Sequence, residues 1–182
     1  MNVPSYNVKR LSFGPGILYL GAAGTTPTTD VGAVRAGATL AFTREKLEIK
    51  QGSPEQLIQQ YVTAETVRLE VHGIEWNLEN LKYALGAGEI SSISGGQQMD
   101  FGGDMTITNC SVKFVHQMPA GGTVEVDIWK AQGQGEIEIT FGMDPHEFPY
   151  VFLALVADTD WAGNTLPANG RLCRIKLLGD FS

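Results

Sequence analysis

The strongest constraint on this chain is a period of two. Apolar and polar residues alternate in short runs, and clusters of Gly, Pro, Thr and Asn interrupt them at hairpin spacing. Thr66–His72 is the cleanest run, with Val67, Leu69 and Val71 on one side and Arg68, Glu70 and His72 on the other. Successive side chains of a strand point to opposite faces, so such alternation describes a strand with one face covered. Strands are also expected at Gly16–Leu20, Met105–Gln117, Thr123–Ala131, Gly135–Gly142, Phe148–Ala157 and Leu172–Leu178. Ala38–Lys50 is a long strand whose phase slips. Leu40 and Phe42 define one side, then Leu47 and Ile49 the other, which is the signature of a β-bulge or of a strand leaving its sheet. About eight strands at this spacing predict a mainly β fold, an antiparallel β-sandwich or barrel-like domain spanning residues 1–182.

The connections are legible from composition. Gly21–Asp30, Gly86–Gly103 (with room for one short strand) and Asp158–Gly170 read as loops. Pro119–Gly122 and Gly133–Gly135 read as tight turns, the second pairing Thr123–Ala131 with Gly135–Gly142. One short helix is expected over 77–86. Asn77 can cap it, Glu79 complements the dipole in its first turn, Leu78, Leu81 and Leu85 form an apolar stripe, and Gly86 supplies the left-handed stop.

Charge narrows function. Of 182 residues 18% are charged, 13 Lys and Arg against 20 Asp and Glu, for a net charge of −7. A nucleic-acid reader needs a basic footprint, which this chain lacks. Residues 1–60 carry +2, 61–120 carry −4 and 121–182 carry −5. The low charged fraction points to a surface covered by neighbours. No run of about 18 apolar residues is present, so no membrane span is expected, and the polar start, Met1–Arg10, has no apolar core of a signal peptide. Cys110 and Cys173 are expected as reduced thiols, Cys110 buried on a strand face.

No catalytic pattern emerges, so neither enzymatic activity nor a cofactor is expected. His72, His116 and His146 are not spaced for a metal, and Asp144–Glu147 reads as a polar turn. Asp158-Thr159-Asp160 lacks the later ligands of a calcium loop. Neither G-x-S-x-G nor a phosphate-binding G-x-x-x-x-G-K occurs. The faces say more. Glu125 and Asp127 alternate with Val124, Val126 and Ile128, and Glu136 and Glu138 with Ile137 and Ile139. Paired through the second turn, the two runs would gather four carboxylates on one wet face.

The order of features resembles the tail tube proteins, or major tail proteins, of long-tailed bacteriophages. The resemblance runs from about residue 13 to 178. It rests on Gly14-Pro15-Gly16 before the first strand, the Gly/Thr/Pro loop ending at Asp30, the long Ala38–Lys50 strand and the excursion Gln51–Thr63. It continues through Val67–Val71 into the helix Leu78–Gly86, a hairpin containing Trp129-Lys130-Ala131, the strand Gly135–Gly142, and Phe148–Asp158. Asp144–Tyr150 has no place in that pattern.

The resemblance implies a subunit with one flanking short α-helix that contributes strands to a ring-shaped inner β-barrel. It implies an N-terminal arm (1–13), a long inter-ring loop (51–63) with Leu57, Ile58, Tyr61 and Val62 as contact residues, and hexameric rings that stack into a tube. Its partners would be copies of itself, the tape measure protein, the tail terminator, the baseplate or distal tail proteins, and a sheath where the tail contracts. Double-stranded DNA would pass without specific binding, in a virion tail assembled in the bacterial host cytoplasm. Glu125, Asp127, Glu136 and Glu138 are the leading lumen-lining candidates, with Glu70 and Glu45 behind them. The alternatives are another virion or injection-machine β-protein, or a carbohydrate-binding β-sandwich using Trp129 and Trp161. Trp76 is expected in the core.

Overall fold

A computed structural model describes residues 12, 14–103, 105–119 and 121–179. The expected N-terminal arm, 1–13, therefore lies outside the described residues except for Ser12. Ten strands and one α-helix follow in the order β1 (Ile17–Ala22), β2 (Thr29–Asp30), β3 (Val34–Gln51), β4 (Gln56–Gly73), α1 (Leu78–Leu85), β5 (Glu89–Ile93), β6 (Gly96–Asp100), β7 (Asn109–Gln117), β8 (Thr123–Gly133), β9 (Phe148–Ala154) and β10 (Arg174–Leu178). A 3₁₀ turn at Ala168–Gly170 precedes β10.

Eight strands form one antiparallel sheet in the order β2-β1-β7-β8-β9-β4-β3, with β10 attached to β8. β8 is the branch point. Its whole length lies against β7, and its other edge is shared: Thr123–Asp127 pair with β10, and Ala131–Gly133 pair with β9. The sheet is open within one chain, ending at β2 and β3 rather than closing into a barrel. β5 and β6 form a separate two-stranded ribbon where one short strand was expected.

One core unites the halves of the sheet. Leu18 and Leu20 of β1, Val112 of β7, Ile128 of β8, Leu69 and Val71 of β4 and Phe148, Tyr150 and Phe152 of β9 are all fully buried in one cluster. A leucine so placed contributes roughly 1.5–3 kcal/mol by leaving water. β4 alternates as its sequence requires, with Val67, Leu69 and Val71 buried and Arg68 exposed on the opposite side.

The helix closes this core. Asn77 is extended (φ −144°), and its Oδ1 accepts the N–H of Glu79 at 2.9 Å and of Asn80 at 3.3 Å. Gly86 ends it in the left-handed region (φ 66°) and donates its N–H to the Tyr83 carbonyl. Leu81 and Ala84 are buried, while Leu78 and Leu85 are half-buried at the margins. Asn80 is buried too, its amide donating to the Val31 carbonyl at 3.0 Å.

Three expectations need correction. Gly135–Gly142 is not a strand, because the edge of β8 it would need is occupied by β9 and β10. Gln51–Thr63 is not a loop but the distal half of a β3–β4 hairpin, turning at 52–55. No local helix forms there, since residues from Gln56 onward belong to β4. Trp76 is not in the core. It is 53% exposed, lying against Phe141 and Phe148 and donating to His146 Nδ1 at 3.4 Å.

Candidate functional site

The β3–β4 ribbon is the most unusual surface of the molecule. Every residue from Phe42 to Thr66 is exposed, so the distal hairpin rests on none of the other described residues. Beyond Glu45 it extends about 20 Å at the usual rise per residue.

Register explains its faces. Near the body, Leu40 pairs with Leu69 and Phe42 with Val67, and this side looks toward the core. Opposite Glu45 and Lys46, β4 carries one extra residue, Thr63, and the register shifts there. The bulge falls where the apolar phase of β3 slips. Past it, Leu47 pairs with Tyr61 and Ile49 with Gln59, on the side that was outward near the body. Lys46, Glu48, Gln60 and Val62 occupy the other side. There Glu48 accepts from Gln60 Nε2 at 2.9 Å and pairs with Lys50 at 2.9 Å. The Lys50 hydrogen bond, then that of Gln60, hold the Glu48 carboxyl below its ordinary pKa.

The distal ribbon is thus amphipathic with its apolar side uncovered. Leu47, Ile49 and Tyr61 are 41–57% exposed, and Leu57, Ile58 and Val62 are similarly open. An apolar cluster this exposed on a projecting element is of the kind that serves as an interaction surface. At the ribbon's base a cleft of about 600 Å³ runs between Phe42, Arg44, Glu65 and Val67 on one side and Leu172 and Cys173 on the other. Nearby on β10, Ile175 and Leu177 are half-exposed although they pair with Val126 and Val124 of the core-facing side. Their alternation carried the signal, but only the sheet order leaves them uncovered.

The six acidic candidates differ in their surroundings. Glu125 lies between Lys113 (3.2 Å) and Lys176 (3.4 Å). Burial raises its pKa, but hydrogen bonding and charge from Lys113, then Lys176, outweigh this and bring it below the ordinary value. Asp127 is fully buried against Lys176. Glu70 pairs with Arg68 at 2.9 Å and meets His72 at 3.3 Å. Glu45, Glu136 and Glu138 are exposed and have no ion-pair partner among the described residues.

The remaining candidates resolve without chemistry. Trp129 is buried, donating to the Gly170 carbonyl, with Trp161 edge-on at 4.7 Å, so the pair offers no open platform for a sugar. The Asp160 carboxylate is taken up by Asn164 and the Ala162 N–H of its own loop. Hydrogen bonds from the Asn164 side chain lead in lowering its pKa. Cys110 and Cys173 are unbonded thiols, and burial pushes Cys110 up to about 12. Among the described residues no three His, Cys, Asp or Glu side chains converge as a metal site. Among the described residues no helix is long and apolar enough to cross a membrane.

No protein-family model matches the chain, and no curated protein matches it.

Proposed function

We propose that this chain is the structural subunit of a phage tail tube, six copies forming a ring and the rings stacking into a hollow conduit. The observation that carries the reading is the projecting β3–β4 ribbon, whose Leu47, Ile49 and Tyr61 form an apolar side with none of the other described residues upon it. Two further features support it. The antiparallel sheet ends in open edges, which isolated proteins ordinarily protect and assemblies use. The chain is acidic, and six copies at −7 each bring −42 to every ring.

The mechanism is electrostatic and mechanical. DNA is a dense line of negative charge, and an acidic wall repels it over roughly one Debye length, about 8 Å at physiological salt. The wall disfavours sticking contacts without a specific site. Lys113 and Lys176 locally neutralise Glu125 and Asp127, so among the acidic candidates the repulsive role falls first to Glu45, which has no ion-pair partner among the described residues. The tape measure protein would fill the lumen before ejection. The tail terminator, the distal tail or baseplate proteins and any sheath would meet the tube at its ends and outer wall.

Negative-stain microscopy of the purified protein is the deciding experiment. Tubes or stacked six-fold rings are expected. Rings that never stack would favour a neck or distal tail component, and a monomer at every concentration would remove the proposal.

A further inference from the structure

We propose that Gly135–Gly142 is a strand without its partner, and that on self-association it adds to the free edge of β3 in a second copy. The inference rests on the self-assembly part of the function proposed above.

The residues alternate as strictly as any strand in the molecule. Ile137 and Ile139 are seated against the core cluster, while Glu136, Glu138 and Thr140 face outward. The segment is anchored at its start, where Gln134 N–H donates to the Val151 carbonyl at 2.9 Å and Gly135 N–H to the Ala84 carbonyl at 3.3 Å. From Glu136 to Glu147 no backbone N–H or carbonyl enters a backbone hydrogen bond among the described residues. A segment with strand periodicity, one side already packed and its backbone groups unused, is a template for strand addition.

The free edge that fits is β3. The outer edge of β2 has only two residues, and the cations of β10 are engaged, Arg174 over Trp129 and Lys176 on Asp127. β3 offers eighteen residues along an end of the sheet, and its distal half stands clear of the body. Charge is complementary. β3 carries Arg35, Arg44, Lys46 and Lys50 against Glu45 and Glu48, and the segment carries Glu136 and Glu138. Lys46 and Glu138 each lack an ion-pair partner among the described residues. Arg35, which shares a cleft with Glu138, is held by Glu147 at 2.9 Å. Opposite charges facing across neighbouring strands stabilise the pairing, and like charges oppose it.

Hydrogen–deuterium exchange of the full chain, compared between dilute monomer and the assembled form separated by sedimentation, tests this directly. Amides of 136–142 are expected to exchange at least about tenfold more slowly in the assembly. Glu136→Lys/Glu138→Lys should weaken assembly roughly tenfold, and adding Lys46→Glu should restore much of the loss. If tubes form while 136–142 exchanges as in the monomer, this inference fails and the tube proposal stands. If some other oligomer forms and the segment becomes protected, the inference stands and the tube proposal fails. A chain that never associates, or a charge swap that restores nothing, rejects β3 of a second copy as the partner.

Discussion

Lys176 of β10 sets its ammonium against the fully buried carboxylate of Asp127 on β8, although the residue directly opposite Asp127 in the ladder is Arg174. Arg174 is diverted onto the Trp129 ring, 5.2 Å from its centroid, and Lys176 reaches along the sheet from its position opposite Glu125. Neither oxygen of Asp127 has a well-aligned hydrogen-bond donor among the described residues, so this ammonium is the main compensation for the buried charge. The contact fastens the C-terminal strand to the sheet. It also explains why a pattern expected to be wet is not.

Removing the cation alone should therefore hurt more than removing the pair. Breaking a buried pair from one side strands the other charge, at a cost of about 3–5 kcal/mol. Lys176 is partly solvated, so Lys176→Met should lie near the lower end, about 3 kcal/mol. Asp127→Asn/Lys176→Met should recover a substantial part of that loss. Urea unfolding of the two single variants and the double variant measures the coupling, and simple additivity would contradict the assignment.

The same cluster sets a pH window. Burial alone would lower the Lys176 pKa, but contact with Asp127 and the charge of Glu125 raise it above its ordinary 10.5. A cation whose folded pKa is raised contributes stability that is complete below 10.5 and disappears as pH climbs through the folded value. Glu125 moves the other way, below 4.5, so its contribution is present above 4.5 and disappears as pH falls through its folded value. The cluster's contribution should be flat between these limits and fall outside both, while buried Cys110 adds a separate decline above about 9, where only the unfolded thiol ionises. In Lys176→Met the alkaline decline should shrink, which urea midpoints across the pH range would reveal.

The close approach of α1 to β8 depends on a missing side chain. A Cβ on Gly133 would lie 2.1 Å from the Ala84 carbonyl oxygen and 2.4 Å from that of Tyr83, both backbone atoms that cannot turn aside. Gly133→Ala should cost about 3 kcal/mol as strand and helix separate. Asn77→Ala, which removes only the cap, should cost about 1 kcal/mol. For a chain of this size each kcal/mol lowers Tm by roughly 2–4 °C, so thermal melts should rank the two variants clearly.

The contrast between α1 and Gly135–Gly142 shows what a sequence can reveal about such a fold. Asn77, Leu81 and Gly86 act on groups within a turn of themselves, so both ends of the helix are legible. The phase slip in β3 is local too, and it marked the bulge at Glu45 and Lys46. Ile137 and Ile139 alternate equally well, yet pairing was decided by competition for one edge of β8, which β9 and β10 won from far along the chain. Glu125 and Asp127 failed as a wet face for a related reason. Alternation says that two faces differ, but not that the Lys176 side chain and Trp161 come to lie over the polar one. For Leu57, Ile58, Tyr61 and Val62, exposure was legible and the paired ribbon presenting them was not.

Thiol reactivity should separate the two cysteines. Cys110 is buried among core residues, and desolvation pushes its pKa up to about 12, leaving almost no thiolate at neutral pH. Cys173 is half-buried, with its pKa also raised by burial. Brief iodoacetamide treatment at pH 8 should add at most one label to the native chain, at Cys173, and two in concentrated urea. Rapid double labelling without denaturant would mean that the β7–β8 layer opens readily.

The ribbon supplies the sharpest separation of folding from assembly. Leu47 and Tyr61 face each other across the hairpin, half-exposed and away from the core, so the isolated subunit gains little from burying them. Replacing both, as Leu47→Ser/Tyr61→Ser, should change unfolding free energy by less than about 1 kcal/mol, the scale of one cross-strand pair. If that apolar side seats against another subunit, the same change removes two buried anchors, each contributing roughly 1.5–3 kcal/mol in a dry contact. Assembly should then be lost, or its critical concentration should rise at least about a hundredfold, by sedimentation and by negative stain. Leu69→Ala in the core provides the opposite control, costing about 2–5 kcal/mol of stability. A Leu47→Ser/Tyr61→Ser variant that keeps its stability and still assembles at the wild-type concentration would show that the ribbon is not the contact, whatever the rest of the surface does.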